Sequence, residues 1–371
     1  MSAQLFSEAK RIVIKVGSST LTGSAGSELN SAAVDQLTDI VAAFKSSGKE
    51  VVVVSSGAIA AGLAPLGLTS RPKDLATQQA AASVGQGLLV ARYTQAFERH
   101  KIVASQVLLT IEDVVRRSHY QNAQRTLFKL IQLGVVPVIN ENDSVGTQEI
   151  RFGDNDRLAA LVSHLIGADL LILVSDIDAL YDAPPSQPGS ARIAHVASLA
   201  ELADAKVGGV GAAGVGSGGM LTKIEAARIA TGAGITMFLT SLPLLQEAIS
   251  GADVGTTFAP VHDKKPSRLL WLEHASTPRG RLILDAGATT AILERGTSLL
   301  PAGVSAVEGE FNAGDTVELI GATGAVIARG LVAFDSDEIP QMLGRSTKEL
   351  AQALGAEYER ELVHRDDLVL I

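Results

Sequence analysis

The stretch Val51-Val52-Val53-Val54-Ser55-Ser56-Gly57-Ala58-Ile59-Ala60-Ala61-Gly62 passes from four valines, through two hydroxyls and a glycine, into small helix-forming residues. Four consecutive β-branched side chains without polar alternation describe a strand buried on both faces, as in a parallel sheet. The Ser55-Ser56-Gly57 that follows offers a hydroxyl and free N–H groups at a helix start, where a carboxylate or phosphate can be bound. Simple N-capping by serine is the plainer use of the same residues.

Working outward, the same succession repeats. Short β-branched runs at Arg11–Val16, Glu50–Val54, Val103–Leu109, Val135–Ile139, Leu170–Val174 and Ile235–Leu239 read as buried strands. In Ala32–Ser46, Val34, Leu37, Val41 and Phe44 recur at helical spacing. Lys73–Glu98, His119–Gln132, Asp156–Ile166 and Met220–Thr231 predict further helices. The longest apolar stretch, Leu158 to Val174, is broken by His164 and Asp169, so it reads as helix, turn and strand rather than a membrane span. Strand and helix in alternation predict an α/β fold, an open, mostly parallel sheet sandwiched by helices. Ligands bind such sheets beyond the carboxyl ends of the strands.

Three further segments fall at such ends. Lys15-Val16-Gly17-Ser18-Ser19 puts a lysine inside an apolar strand, where burial is costly without an anionic partner. The Gly17 turn presents N–H groups to phosphate oxygens; the plain alternative is a lysine that snorkels to water. Asn140-Glu141-Asn142-Asp143 and Gly153-Asp154-Asn155-Asp156 bring four carboxylates and three amides to one edge. That exceeds what two turns and an N-cap need, and suits an ammonium group, a Mg²⁺ shell or the steering of nearby lysines. Val207–Lys223 matches a dinucleotide fingerprint in form, but no strand directly precedes its glycines and the next strand ends in Leu239-Thr240-Ser241, without an acid. Lys223 also stands at the wrong spacing for a Walker A loop. What remains, Gly216-Ser217-Gly218-Gly219-Met220-Leu221-Thr222-Lys223, is a Gly-rich loop entering a helix that can hold a polyphosphate at its N-terminus.

Bulk properties bound the answer. With 371 residues, 46% hydrophobic and 19% charged, the chain is long enough for two domains with a substantial core. It has no cysteine, which excludes a disulfide framework, a thiolate metal site and a cysteine nucleophile. The seven histidines show no HxH or HExxH spacing, and no GxSxG elbow occurs. Met1–Lys10 lacks the apolar core of a secretory signal, so a cytoplasmic protein is expected. A net charge of −9 argues against general binding to nucleic acid or anionic membrane.

Beyond a linker expected at Val254–Pro266 the pattern changes. Arg281–Leu284, Ser305–Glu310, Thr316–Ile320 and Val326–Val332 predict a small β-rich module, with a short helix at Ser346–Leu354 and a closing strand at Leu368–Ile371. Domains of 1–260 and 276–371 follow.

Taken together, the Lys15–Ser19 run, Ser55–Gly62, Pro137–Asp143, Gly153–Asp156 and Gly216–Lys223 strongly resemble the glutamate 5-kinases of the amino acid kinase superfamily. The module from Ser276 to Leu354 is similar to a PUA domain, and His364-Arg365-Asp366-Asp367 fits the same family. The resemblance covers essentially the whole chain. It implies ATP-dependent phosphorylation of the side-chain carboxylate of L-glutamate, the first step of proline synthesis, with Mg²⁺. Lys15 and Lys223 would contact the phosphates, with Asp156 orienting both. Ser56, Asp143 and Asn155 would hold glutamate, with Asp154 beside its ammonium group. Ser175, Asp176 and the run Ser217, Gly218, Gly219, Met220, Leu221, Thr222 and Lys223 would line the nucleotide site. Ser18 and Ser217 stand where a threonine is usual, and Ala179 where glycine is common; none of these removes a charge. Inhibition by proline, sought at Ser105–Tyr120 and after Asn142, a homo-oligomer, and a glutamyl phosphate reductase as partner are also implied. Acetylglutamate, aspartate and uridylate kinases are the nearest rivals. An RNA-binding role of the tail is the reading from another class, and it meets 15 acidic against 8 basic residues in Ser276–Ile371.

Overall fold

The computed structural model describes residues 2–22, 28–110, 113–114, 117–145, 155–183, 187–202, 219–261, 272 and 278–371. The chain divides into two compact units, Met1–Lys264 and Lys265–Ile371.

The first unit is built on an eight-stranded sheet. Its strands are β1 (Arg11–Val16), β2 (Glu50–Ser55), β3 (Ala104–Leu109), β4 (Val136–Glu141), β5 (Leu170–Ser175), β8 (His195–Val196), β9 (Thr236–Ser241) and β10 (Thr256–Phe258); β6 (Leu180–Tyr181) and β7 (Arg192–Ile193) form a separate hairpin. The order is β3-β4-β2-β1-β5-β9-β10-β8. The first six strands are mutually parallel, and β10 runs antiparallel to β9. Register brings their carboxyl ends level: Val16 lies opposite Ser55 and Val174, and Ser175 opposite Ser241.

Alternation along β1 decides what each face does. Ile12, Ile14 and Val16 enter a core with Val51, Val53, Ile172 and Val174. That core is closed by Leu37, Val41 and Phe44 of helix Ser31–Ser46, Leu89, Tyr93 and Phe97 of helix Leu75–Glu98, and Leu242 and Leu245 of helix Leu242–Ile249. Each such large side chain contributes roughly 1.5–3 kcal/mol by leaving water. Val13 and Lys15 belong to the opposite face. The helix Asn155–Ile166 packs there, and every residue of it except Arg157 is buried. A helix enclosed this way needs apolar residues all round, hence the long apolar run in the sequence.

Helix Ala58–Leu63 meets helix Leu75–Glu98 at van der Waals distance through two glycines. A Cβ on Gly62 would sit 1.9 Å from the Ala81 carbonyl oxygen, and one on Gly85 would sit 1.8 Å from that of Ala58. Gly57, just before the first of these helices, has φ +99°, a left-handed conformation that glycine adopts without strain.

The six long strands and five helices expected from the sequence are present, with ends shifted by one or two residues. The expected linker Val254–Pro266 requires correction, because Thr256–Phe258 is a strand of the main sheet. Thr256 is buried, its hydroxyl donating to the Ile193 carbonyl (2.6 Å) and accepting from the Leu180 N–H (2.8 Å).

The second unit carries a five-stranded sheet, β12-β11-β13-β14-β15, of Val304–Gly309, Gly280–Leu284, Thr316–Ile320, Val326–Leu331 and Leu368–Leu370. It has its own core, including Leu282, Leu284, Val317, Leu319, Ile339 and Leu350. The helix Thr347–Leu354 starts with a capping box between Ser346 and Glu349. The helix Ala286–Arg295 was not anticipated; Asp285 caps its start and Gly296, at φ +58°, ends it.

Candidate active site

Three charged side chains meet beyond the carboxyl ends of β1, β2 and β5. Lys15 comes from β1, and its Nζ is bound to Asp156 Oδ1. Lys223, from the first turn of helix Met220–Gly232, places its Nζ 3.1 Å from Asp156 Oδ2. Thr222 Oγ1 lies 3.3 Å from the same oxygen. Asp156 is 1% exposed, Lys15 6% and Lys223 5%. Burial pushes the Asp156 carboxyl up, but the Lys15 and Lys223 ammonium groups more than offset this and hold it below the usual carboxylate range. It is therefore ionised. Among the described residues, one carboxylate stands between two ammonium groups in a buried setting, a condition suited to receiving a polyanion.

The peptide N–H groups around this triad are tied to the sheet. Gly17 N–H donates to the Val174 carbonyl (3.2 Å) and Ser56 N–H to that of Val16 (3.1 Å). At the end of β5, Ser175 is buried and its hydroxyl donates to Asp176 Oδ1 at 2.8 Å. Gly219 is the residue before helix Met220–Gly232, Thr222 Oγ1 donates back to its carbonyl (2.7 Å), and Leu221 is 82% exposed. Lys223 thus projects from a helix N-terminus, where the helix dipole also favours negative charge.

Next to Asp156, Asn155 turns to a different set of partners. Its Nδ2, with two hydrogens to donate, faces three acceptors: the Ser55 carbonyl (2.7 Å), Ser56 Oγ (2.9 Å) and Asn140 Oδ1 (3.0 Å). Asn155 Oδ1 is buried without a hydrogen-bond partner among the described residues. Asp143 follows the Asn140 turn. Burial raises its pKa to about 6, partly countered by the Arg71 guanidinium. The Asn142 N–H donates to the Leu109 carbonyl (3.0 Å), which ties this turn to the end of β3.

The structure thus brings together Lys15, Asp156, Lys223 and Thr222, and beside them Asn155 and Ser56. Asp154, Ser217 and Gly218 lie outside the described residues. Of the segment Ser105–Tyr120, where proline inhibition was sought, Ser105–Leu109 belongs to β3 and Arg117–Tyr120 to helix Arg117–Gln132. Sequence reasoning gave no role to Gln86 or Arg71. Gln86 could have been found as a polar residue on the apolar stripe of Ala82, Leu89 and Tyr93. Among the described residues no group of three His, Cys, Asp or Glu side chains fits a metal ion.

Residues 10–241 match the model of the amino acid kinase family, and residues 280–354 that of the PUA domain. Glutamate 5-kinase of Streptomyces avermitilis is 62% identical over 365 residues, which cover 98% of this chain and 97% of that one. Glutamate 5-kinases of Streptomyces coelicolor and Salinispora arenicola are each 59% identical, covering 99% and 98% of this chain and 98% of each relative. Among solved structures, a carbamate kinase from Giardia lamblia bound to AMP-PNP superposes with a TM-score of 0.50 at 15% identity, over 69% of this chain and all of that one, a likeness of fold.

Proposed function

Since the chain belongs to the amino acid kinase family and, within it, to the glutamate 5-kinases, we propose that it transfers the γ-phosphoryl group of ATP to the side-chain carboxylate of L-glutamate. The products are L-glutamyl 5-phosphate and ADP, and the reaction opens proline synthesis. The observation that carries this reading is the binding of Lys15 and Lys223 to the two oxygens of one buried carboxylate.

The chemistry needs little from the protein beyond placement and charge. A glutamate side chain, with an ordinary pKa of about 4.3, is already ionised at neutral pH, so no general base is required. Its oxygen forms a bond to the γ-phosphorus as the bond to the β-phosphate oxygen breaks, and the electron pair leaves with ADP. The obstacle is repulsion between two anions. Lys15 and Lys223, fixed by Asp156, meet the γ-phosphoryl oxygens, whose charge they stabilise through the transfer. Asp156 is a positioning group here; held below the ordinary carboxylate range, it does not take up a proton. The N-terminus of helix Met220–Gly232, with Gly219, Met220, Leu221 and Thr222, receives the remaining phosphates, and Ser175 and Asp176 border the nucleotide. Mg²⁺, when bound on the nucleotide, lowers the charge of its phosphates. The described residues supply no cage for it.

The amino-acid end is held by acceptors. Asn155 Oδ1 and Asp143 suit the substrate ammonium, with Asp154 adjacent to Asn155 in the chain and Ser56 Oγ beside Asn155. Proline also carries an ammonium group and a carboxylate, which supports it as an inhibitor at the same acceptors. Assembly into a homo-oligomer and use of the product by a glutamyl phosphate reductase belong to the same reading. So does a cytoplasmic location; among the described residues no helix is long and apolar enough to cross a membrane. The acidic surplus of the C-terminal module weighs against RNA as its ligand.

The test is ADP release with ATP, Mg²⁺ and L-glutamate, with hydroxylamine present to trap the acyl phosphate, repeated with proline added. A hydroxamate product that depends on L-glutamate supports the assignment. Faster turnover of N-acetyl-L-glutamate, L-aspartate or uridylate rejects it.

A further inference from the structure

A line of buried amides leads from the amino-acid end of the site into a helix outside the motifs. Gln86 lies on the inward face of helix Leu75–Glu98, and its Oε1 accepts from Asn140 Nδ2 at 2.7 Å. Asn140 Oδ1 accepts from the Glu141 N–H (2.9 Å) and from Asn155 Nδ2 (3.0 Å). Asn155 Nδ2 also reaches the Ser55 carbonyl and Ser56 Oγ. Gln86, Asn140 and Asn155 are all buried.

Two backbone groups fix the sense of this line. The Ser55 carbonyl can only accept, so Asn155 must turn its NH₂ toward it. The Glu141 N–H can only donate, so Asn140 must turn its oxygen that way. Inverting either amide would set oxygen against oxygen or N–H against N–H at buried positions. Asn140 Nδ2 then points away from the site and needs an acceptor, which Gln86 supplies. The group left over is Asn155 Oδ1, nine-tenths buried and unpartnered among the described residues.

We propose that Gln86 is a positioning residue for the amino-acid pocket: through Asn140 it fixes the amide plane of Asn155, so that Asn155 Oδ1 stands as a preset acceptor for the substrate ammonium. The inference rests on the glutamate kinase reading and deepens it. Gln86 touches neither substrate and acts only through Asn140 and Asn155.

The experiment is steady-state kinetics of the full chain with L-glutamate and ATP varied separately, and thermal melting measured in parallel. Gln86→Leu removes the acceptor at similar volume. It should raise KM for L-glutamate about ten-fold, the effect of one buried amide left unpaired, with kcat within about two-fold and KM for ATP unchanged. Gln86→Glu restores an acceptor and should recover most of the loss. Leu88→Ala, on the exposed side of the same helix, should keep wild-type constants. If Gln86→Leu does not fold, Gln86→Met carries the same comparison. An unchanged KM for L-glutamate in a folded variant overturns the proposal. So does a parallel loss in both KM values and kcat that Gln86→Glu fails to recover, which would mark general loosening. A wild-type enzyme that is itself inactive with L-glutamate overturns the kinase reading instead, and the two failures are told apart by that control.

Discussion

Lys223 Nζ lies 3.1 Å from Asp156 Oδ2, a contact between residues 67 apart in the chain, and both side chains are buried. Neither would be stable there alone, since an uncompensated buried charge costs several kcal/mol. Lys15 is bound to the other oxygen.

Removing either member should separate catalysis from binding. Lys223→Ala is expected to lower kcat by about 10²–10³, the usual loss of one preorganised charge-stabilising group, with little change in KM for L-glutamate. Asp156→Asn should lower kcat similarly and also cost roughly 3–5 kcal/mol of stability, because two buried ammonium groups lose their counter-ion. ADP-release kinetics and urea denaturation measure the two effects. Near-wild-type turnover of Lys223→Ala would remove the lysine from the mechanism.

The pKa of Asp143, raised to about 6 by burial against the smaller opposing effect of Arg71, gives a pH dependence with a definite sign. The folded free protein holds this proton more tightly than the unfolded chain, so the site favours folding below pH 4. That contribution is lost as pH rises from about 4 through 6. Binding runs the other way, because a substrate ammonium pairs only with the ionised form. KM for L-glutamate should therefore climb as pH falls below about 6 and be flat from 7 to 8, and Asp143→Asn should abolish the acid limb while raising KM throughout. A KM profile between pH 5 and 8 decides it.

The crossing of helices Ala58–Leu63 and Leu75–Glu98 leaves no room for a side chain. Gly85→Ala would set a Cβ 1.8 Å from the Ala58 carbonyl oxygen and 2.4 Å from Gly62 N, so backbone must move. A loss of about 1–3 kcal/mol is expected, together with lower activity, because the displaced helix begins directly after Ser56 and Gly57. Gly87→Ala, two residues on, meets nothing within 4 Å and should stabilise by about 0.5–1 kcal/mol. Chemical denaturation of both variants checks the contrast; equal midpoints would refute the packing argument.

A pocket whose amino end is set by acceptors should reject a substrate with that amine blocked. N-acetyl-L-glutamate offers one N–H in place of three and adds bulk. Its kcat/KM is expected to fall about 10⁴-fold below that of L-glutamate, as when a site's buried polar groups go unpaired. Competition assays with both acceptors measure the ratio.

Much of this was legible in the sequence because the parallel sheet writes itself in β-branched runs and brings its functional residues to one end. Val51–Val54, the apolar helix after Asn155 and the lysine inside β1 each had a local signal. The strand Thr256–Phe258 had none, since three residues among small polar neighbours acquire their pairing only from β8 and β9. The helix Ala286–Arg295 did display its caps, Asp285 and Gly296, but strand signals on either side hid it. Gln86 stood out as a polar residue on an apolar stripe, but its role was out of reach for another reason. Its partner Asn140 lies 54 residues away, and an isolated glutamine on an apolar face does not name the amide it will meet.

Asn155 and Asp156 are neighbours in one helical turn, yet the first turns to Ser55, Ser56 and Asn140 and the second to Lys15 and Lys223; on the proposed reading the one serves the amino acid and the other the phosphate. A single peptide unit therefore sets the gauge between acceptor and donor. Because that turn is clamped by a helix enclosed on nearly every side, the two substrates share a common datum, and neither end of the reaction can be retuned without shifting the other. Variation in acceptor length, such as a side chain one carbon shorter, then has to be absorbed by the substrate itself.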